Sequence, residues 1–283
     1  MVPDFDPASL AFPLILFSAI THAIYNALIK AAQDKLVARM LMAVASSLIL
    51  APVAFFVPLP SPAMFALLGV TAFVHFGYQM AQVKSLQHAD YTLAYPLSRG
   101  TAPLLIAGLA PLVLGDTVTS AQLLGIAVIS LAILSMALSA PKGNGYGIVF
   151  ALLTGIAIAA YTLIDAKGSR MGTHPLTFIV WFFIFDSFVI STFTLTRHRA
   201  RFRAAFMREW KMSLLNGVLG ICTFGAALLA FRYGNAPVMA ALRETSVLFA
   251  ALIGVLFLGE RLGRMRLVAI VGIAAGVAII KLF

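Results

Sequence analysis

The chain has 283 residues, of which 61% are hydrophobic and only 11% are charged, and its mean hydropathy is +1.00. This composition is far more apolar than that of a soluble domain, so it excludes water as the protein's main solvent. The formal charge of +10 does not indicate a nucleic-acid binder, because the Lys and Arg residues lie in short connections between apolar runs and form no groove-lining patch.

Ten apolar runs follow one another along the chain, and each is long enough for a helix to cross a bilayer core about 30 Å thick. Because the runs are continuously apolar and do not alternate, they predict helices and not a barrel. The sequence therefore predicts an all-α membrane protein with a single transmembrane domain over residues 1–283. Its predicted spans cover residues 10–29, 36–57, 63–84, 91–114, 118–139, 146–165, 176–196, 212–231, 236–258 and 263–282.

The second half of the chain repeats the first. Residues 99–116 align without gaps on residues 243–260, and Arg, Thr and a Leu-Gly-acid step recur in the same places. This predicts two five-helix repeats, residues 1–140 and 141–283. Since five crossings is an odd number, the second copy is predicted to be inverted. Inverted repeats around a central cavity are typical of alternating-access carriers.

The fourth helix of each repeat ends in the same motif, Leu114-Gly115-Asp116 and Leu258-Gly259-Glu260, and a short apolar last helix follows. In this motif and in its layout the chain resembles the drug/metabolite transporter superfamily, in its ten-span EamA-type branch. The resemblance implies transport of amino acids, sugars, nucleotide sugars or other metabolites, and bacterial members include amino-acid exporters. The first copy has Asp116-Thr117 where family members often have Glu-Arg.

Polar side chains deep in a span are costly, so each is a candidate for a functional role or for bonding a neighbouring helix. Span 3 carries four of them on one helical face, at spacings i, i+3, i+4 and i+7. Spans 1, 4, 6 and 9 carry others, among them Asp165 in span 6. The predicted substrate-binding residues are His22, Tyr25, Asn26, His75, Tyr78, Gln79, Gln82, Tyr95, Arg99, Tyr161, Arg243 and Ser246. Pro96 and Pro103 are predicted to interrupt span 4.

Two readings stay open for each intramembrane arginine. A guanidinium is a permanent cation whose planar fork matches a carboxylate, so Arg99 or Arg243 could hold the carboxylate of a substrate. Either could instead form a salt bridge with Asp186 or Glu244. Proton coupling needs a group whose charge changes near neutral pH, and the candidates are His75, Asp186 and Glu244.

The basic residues, Arg39 among them, gather in the odd-numbered connections. This predicts that these connections are cytoplasmic and that both termini lie outside an inner membrane. The segment 197–211 spaces Phe202, Phe206 and Trp210 four apart among several arginines, a pattern typical of an interfacial helix that contacts anionic lipids. Small residues at Gly155 and Ala159, and at Gly272 and Gly276, predict close helix packing within a monomer or in a homodimer.

Other functions are less favoured by the sequence. A membrane enzyme, such as a lipid-modifying transferase, would need a phosphate loop, a His-Glu-x-x-His or a Gly-x-Ser-x-Gly motif, and none is present. The single cysteine, Cys222, excludes a multi-cysteine metal site, and no cofactor is predicted. A channel would need a continuous polar pore. We therefore predict a secondary active exporter of small organic metabolites, foremost amino acids, with import of sugars or nucleotide derivatives as an alternative.

Overall fold

A computed structural model describes residues 6–140, 144–258 and 263–282. The chain within these ranges is helical, with short 3-10 turns and no strand. The predicted all-α membrane fold is confirmed, and most predicted span ends lie within a few residues of the observed ones. The α-helices are α1 Ala11–Ala31, α2 Lys35–Leu50, α3 Pro62–His88, α4 Tyr91–Val113, α5 Ser120–Ser135, α6 Gly145–Arg170, α7 Leu176–Arg197, α8 Arg199–Gly220, α9 Ala226–Tyr233, α10 Ala236–Arg243, α11 Ser246–Leu258 and α12 Arg264–Leu282.

Nine helical stretches within the described ranges are both long enough and apolar enough to cross a membrane. The remaining predicted span is α4, whose 23 residues also suffice in length, since a helix rises about 1.5 Å per residue. This helix carries Arg99 and three prolines, Pro96, Pro103 and Pro111.

The predicted interruption of span 4 is wrong, because α4 runs through its prolines without a break. In a membrane helix, neighbouring groups can satisfy the carbonyl that a proline leaves free. The break lies instead in span 9, where α10 ends at Arg243 and α11 begins at Ser246. Neither Pro nor Gly occupies the two residues between them, so no local sequence signal marked this site.

Span 8 is a single helical stretch, Arg199–Tyr233, of 35 residues. It includes a turn of π-helix at Ile221–Gly225, and such turns are frequent at functional sites. The segment 197–211, predicted as an interfacial helix, is helical from Arg199 and continues directly into the span. Its contact with anionic lipids stays a prediction. Its apolar side contacts α2, where Phe202 and Ala205 pack beside Val37.

Helix packing follows a regular pattern between the halves. Helix α3 packs on α6, and α1 packs on α9, which is the corresponding pair when the two halves are exchanged. Helix α4 packs on α6 and α1 packs on α10 and α11 in the same manner, while α2 contacts α7 and α5 contacts α12. This reciprocity is what a pseudo-twofold arrangement requires. The inversion of the second repeat stays a prediction.

Small residues allow close approach at two of these contacts. A Cβ added to Gly276 on α12 would lie 2.7 Å from the carbonyl oxygen of Gly125 on α5. A Cβ added to Gly155 on α6 would lie 2.9 Å from the carbonyl oxygen of Ser98 on α4. Both glycines therefore pack helices within the chain. Packing within a monomer is one of the two alternatives that the sequence left open, and packing in a homodimer is the other.

Polar contacts hold the two ends of the bundle. At one end, Asp34 caps α2 and accepts a hydrogen bond of 2.5 Å from Arg201 Nε. At the other end, Arg170 donates to both carboxylate oxygens of Asp116 at 2.7 Å. Partial burial acts to raise the pKa of each carboxyl, but the arginine and backbone N–H donors hold both pKa values below the ordinary 3.8.

These contacts join connection 1 to the start of span 8, and connection 4 to the end of span 6 and to connection 8. Odd-numbered connections thus lie at one end and even-numbered connections at the other, as ten successive crossings require. Which end is cytoplasmic stays a prediction.

Candidate functional site

A cavity lies between α1, α2, α3, α7 and the π-helical turn, and we call it the larger cavity because it exceeds a second one beside Arg243. The larger cavity encloses about 700 Å³ of space not occupied by atoms, part of it open to solvent. Six of the predicted substrate-binding residues line it, as does the predicted coupling residue Asp186. These six are His22, Tyr25, Asn26, His75, Tyr78 and Gln79.

Aromatic rings form one wall of this cavity, with Phe224 of the π-helical turn at its centre. The Phe224 ring lies edge-on to Tyr25 and to His22, with centroids 6.4 Å apart in both cases. It also lies 6.2 Å from the His75 ring and 6.4 Å from Phe182. Phe224 also contacts the guanidinium of Arg243, which lines a smaller cavity.

His75 lines the larger cavity and also forms a buried pair with Asp165 of α6. His75 Nε2 lies 2.9 Å from Asp165 Oδ2, and the Thr71 hydroxyl donates to Asp165 Oδ1 at 2.5 Å. The His75 ring is stacked on Tyr161 with centroids 4.1 Å apart. Asp165 was noted in the sequence as a polar residue of span 6, but its pairing with His75 was missed. Its position four residues after Tyr161, on the same stripe, was the available signal.

Arg99 is paired across the repeat. Its Nε donates to Glu244 Oε2 at 2.9 Å, and its Nη2 lies 3.4 Å from the Ser246 hydroxyl. Both charged side chains are buried. Of the two readings open for Arg99, the structure shows the salt bridge, with Glu244 and not Asp186 as the anion.

Arg243 differs from Arg99 although the two align in the repeat. It is buried, and its Nε and Nη2 have no hydrogen-bond partner within the described part of the chain. Its guanidinium carbon lies 4.8 Å from the centroid of the Phe224 ring, which places the cation over an aromatic face. Arg243 also lines the smaller cavity, of about 280 Å³, together with Tyr161, Arg99 and Glu244.

The remaining predicted binding residues lie near these cavities without lining the larger one. Gln82 accepts a hydrogen bond of 2.7 Å from Arg39 Nη2 and donates to the Tyr78 hydroxyl at 3.2 Å. Tyr95 is stacked on Tyr91, with ring centroids 5.0 Å apart. The Ser246 hydroxyl lies near the Arg99–Glu244 ion pair, 3.4 Å from Arg99 Nη2.

Arg39 was counted in the sequence as a cytoplasmic connection residue, but it lies on α2 and lines the larger cavity. Sequence reasoning also missed three phenylalanines of the wall, Phe182, Phe183 and Phe224. An apolar ring in an apolar span carries no signal of its own, so only the fold could place them.

Of the two Leu-Gly-acid motifs, the structure describes the first. Gly115 adopts φ +76°, a left-handed conformation that ends α4 and favours glycine, and Asp116 then reaches Arg170. Asp116 Oδ2 also accepts a hydrogen bond of 2.7 Å from the backbone N–H of Ala236. Residues 259–262, which carry most of the second motif, lie outside the described residues.

Comparison with known proteins places this arrangement in a family. The model of the EamA-like transporter family matches residues 9–138 and again residues 145–282. An uncharacterized transporter in the cobO 3' region of Sinorhizobium sp. is 34% identical over 76 residues, which are 27% of this chain. The chain spans about half of that relative, 54% of its length.

A solved crystal structure, whose title names no activity, matches the fold with a TM-score of 0.73 at 17% identity. The match covers 98% of this chain and 98% of that one. The likeness therefore concerns the whole ten-span fold. Because the family model accounts for both halves of the protein, the chain belongs to the EamA-like transporter family.

Proposed function

We propose that this protein is a secondary active transporter of small organic metabolites, foremost amino acids. The observation that carries the proposal is the buried guanidinium of Arg243, whose Nε and Nη2 have no hydrogen-bond partner within the described part of the chain. Buried N–H donors without acceptors are costly in a membrane protein, and a bidentate carboxylate is the group that best satisfies the planar fork of a guanidinium. Arg99 cannot take this role without leaving Glu244.

The larger cavity supplies the complementary features for the rest of an amino acid. Asp186 lines it, and the buried Gln79 Oε1 atom has no hydrogen-bond donor among the residues that the structure describes, so both can accept from an ammonium group. The faces of the aromatic wall add a cation–π attraction and apolar contact for a side chain. Phe224 lies between this cavity and Arg243, so one substrate can touch both when that ring turns aside.

Alternating access is supported by the placement of irregular backbone beside this site. The break between α10 and α11 follows Arg243 directly, and the π-helical turn holds Phe224. Interrupted helices at the midplane of paired repeats are typical of carrier binding sites. The Asp116–Arg170 pair would then close the even-numbered end, while Arg39 is among the residues that line the larger cavity.

We propose that the protein lies in an inner membrane with its odd-numbered connections in the cytoplasm. Protons that move into the cytoplasm through the protein then drive the export of substrate. His75 and Asp186 line the larger cavity and fit the coupling role. Glu244 fits it less well, because its carboxylate is held by Arg99. The basic distribution of the sequence supports the orientation.

Anionic lipids are the proposed partner of the basic start of α8. Arg199 and Arg203 are exposed there, whereas Arg201 is held by Asp34. Trp210 on the same helix is 38% exposed, as expected of a ring at the membrane interface.

Counterflow in liposomes tests the proposal. Purified protein is screened against pooled amino acids, sugars and nucleotide derivatives, and the transported compound is then followed in Arg243→Gln. Loss of a charge-assisted hydrogen bond costs about 1.5–3 kcal/mol, so the half-saturation concentration should rise about tenfold to hundredfold.

The matched control is Arg264→Gln, which removes the same charge from an exposed position at the start of α12. It should transport like the unmodified protein. An unchanged half-saturation concentration in Arg243→Gln would refute the carboxylate site, and counterflow of sugars alone would refute the amino-acid assignment.

A further inference from the structure

The His75–Asp165 pair has the geometry of a proton-binding unit. Asp165 accepts from the Thr71 hydroxyl on one oxygen, and its other oxygen lies 2.9 Å from His75 Nε2. With Asp165 ionised, both of its oxygens accept hydrogen bonds, and the proton of the contact with His75 lies on Nε2. The other ring nitrogen, Nδ1, is then the position where a further proton can bind.

Burial gives that second proton a large electrostatic consequence. With Nδ1 unprotonated, the pair is a neutral imidazole beside a carboxylate and carries one negative charge. Protonation of Nδ1 makes an imidazolium–carboxylate pair of zero net charge, which is less costly in a membrane interior. Imidazole is also the side chain that changes charge between about pH 5 and 8.

Other charged and titratable groups face this pair from each helix around it. Asp186 is a second acid in the same cavity, and Arg39, which donates to the neutral Gln82 amide, is a cation there. Two carboxylates, Asp165 and Asp186, and this one cation leave a net negative charge, so the larger cavity attracts one added cation. The facing groups are Tyr78 on α3, Tyr161 on α6, Asp186 on α7, His22 and Tyr25 on α1, Arg39 on α2, and, beyond Phe224, Arg243 with the Arg99–Glu244 pair.

We propose that His75, positioned by Asp165, carries the coupling proton, and that this proton and the ammonium group of the substrate exclude each other from the larger cavity. The His75 ring lies against Tyr161 at 4.1 Å and edge-on to Phe182 at 5.0 Å. An imidazolium there occupies the aromatic surroundings that would otherwise hold an ammonium group. The proposal rests on the proposed function, because it needs a substrate with a positive group.

The exchange follows from this competition. Substrate binding displaces the proton from Nδ1 into the cytoplasm, and substrate release on the outer side lets a proton from that solution bind Nδ1. The protonated carrier then returns. One proton enters for each substrate molecule that leaves, and Asp165 acts through His75 without touching the substrate.

Asp165→Asn tests the assignment, because the amide keeps the shape and removes the charge. The readout is accumulation of a substrate amino acid in liposomes that are one pH unit more acidic inside, with the membrane potential clamped at zero by potassium and valinomycin. Exchange of one proton per substrate predicts about tenfold accumulation by the unmodified protein. Asp165→Asn should show none, and its counterflow should persist with a flat profile between about pH 5.5 and 8.

The matched control is Asp90→Asn, which changes an exposed acid at the start of α4 and should keep both accumulation and pH profile. Retained accumulation in Asp165→Asn would overturn the proposal. Should that variant not fold, pyranine-loaded liposomes of the unmodified protein decide the matter: substrate export without proton entry overturns it. Absence of counterflow by the unmodified protein would instead sink the proposed function itself.

Discussion

Removing the carboxylate of Glu244 should be among the most destabilising single changes in the membrane interior. Glu244→Gln replaces the anion that accepts from Arg99 Nε by a neutral amide, so the buried guanidinium of Arg99 loses the carboxylate 2.9 Å away. The same change removes the carboxylate that lies beside Arg243 in the smaller cavity. Breaking a buried ion pair from one side costs about 3–5 kcal/mol, and here two like charges then lie unpaired in the same layer. We expect the free energy of unfolding to fall by that amount.

The complementary change should cost less. In Arg99→Gln, the carboxylate of Glu244 remains next to Arg243 in sequence and beside it in the smaller cavity, so a partial replacement partner is present. The double variant removes both charges and should fall within about 1–2 kcal/mol of the unmodified protein, because exchanging a whole buried pair for neutral groups is often tolerated. The expected order of destabilisation is Glu244→Gln, then Arg99→Gln, then the double variant.

Unfolding in mixed micelles with increasing SDS, followed by the fluorescence of Trp181 and Trp210, measures these free energies. The double-mutant cycle isolates the interaction between the two residues. If the two single changes were additive in the double variant, or if Glu244→Gln cost less than about 1 kcal/mol, the pair would not stabilise the protein as described.

Two further predictions concern the bundle ends and the helix contacts. The pKa of Asp116 is lower in the folded protein than its ordinary 3.8, so the stability gained from Arg170 is complete above about pH 4 and is lost as the pH falls through the folded pKa. Melting temperatures of the unmodified protein, measured from pH 6 down to 3, should therefore converge with those of Asp116→Asn. Parallel curves for the two proteins would contradict this. Gly276→Ala should destabilise by about 1–3 kcal/mol, since its Cβ would meet the Gly125 carbonyl oxygen at 2.7 Å, and unchanged SDS unfolding would contradict that contact.

Much of the fold could be predicted from the sequence because lipid imposes a simple rule. Each crossing needs a continuous apolar run, and polar or Pro/Gly residues mark where the run ends, so the ends of α4 and α7 were predicted within a residue. The same rule selects candidate binding residues, since a polar side chain such as His22 or Gln79 stands out in mid-span. Both line the larger cavity, while their binding role stays a prediction.

Partner choice could not be predicted, because it depends on how distant helices meet. From the sequence, Asp186 and Glu244 were equally possible salt-bridge partners of each arginine. Only the contact of α4 with α10 brings Glu244 to Arg99. Arg39 could not be recognised as a cavity residue, since a basic side chain near the predicted end of a span is ordinarily a connection residue. The break after Arg243 carries no Pro or Gly and follows from tertiary packing.

The repeat itself explains why one arginine is paired and the other is not. Arg99 and Arg243 align, but Glu244 aligns with Gly100, where a Cβ would meet Leu134 Cγ at 2.6 Å. Close packing of α4 on the last helix of its own repeat therefore leaves no room for an acid at that position, and the carboxylate that pairs with Arg99 comes from the second half. Arg99, Arg243 and Glu244 together carry one net positive charge. An anionic group that arrives with the substrate and departs with it would complete the charge balance, and a permanent second acid would remove the reason to bind it.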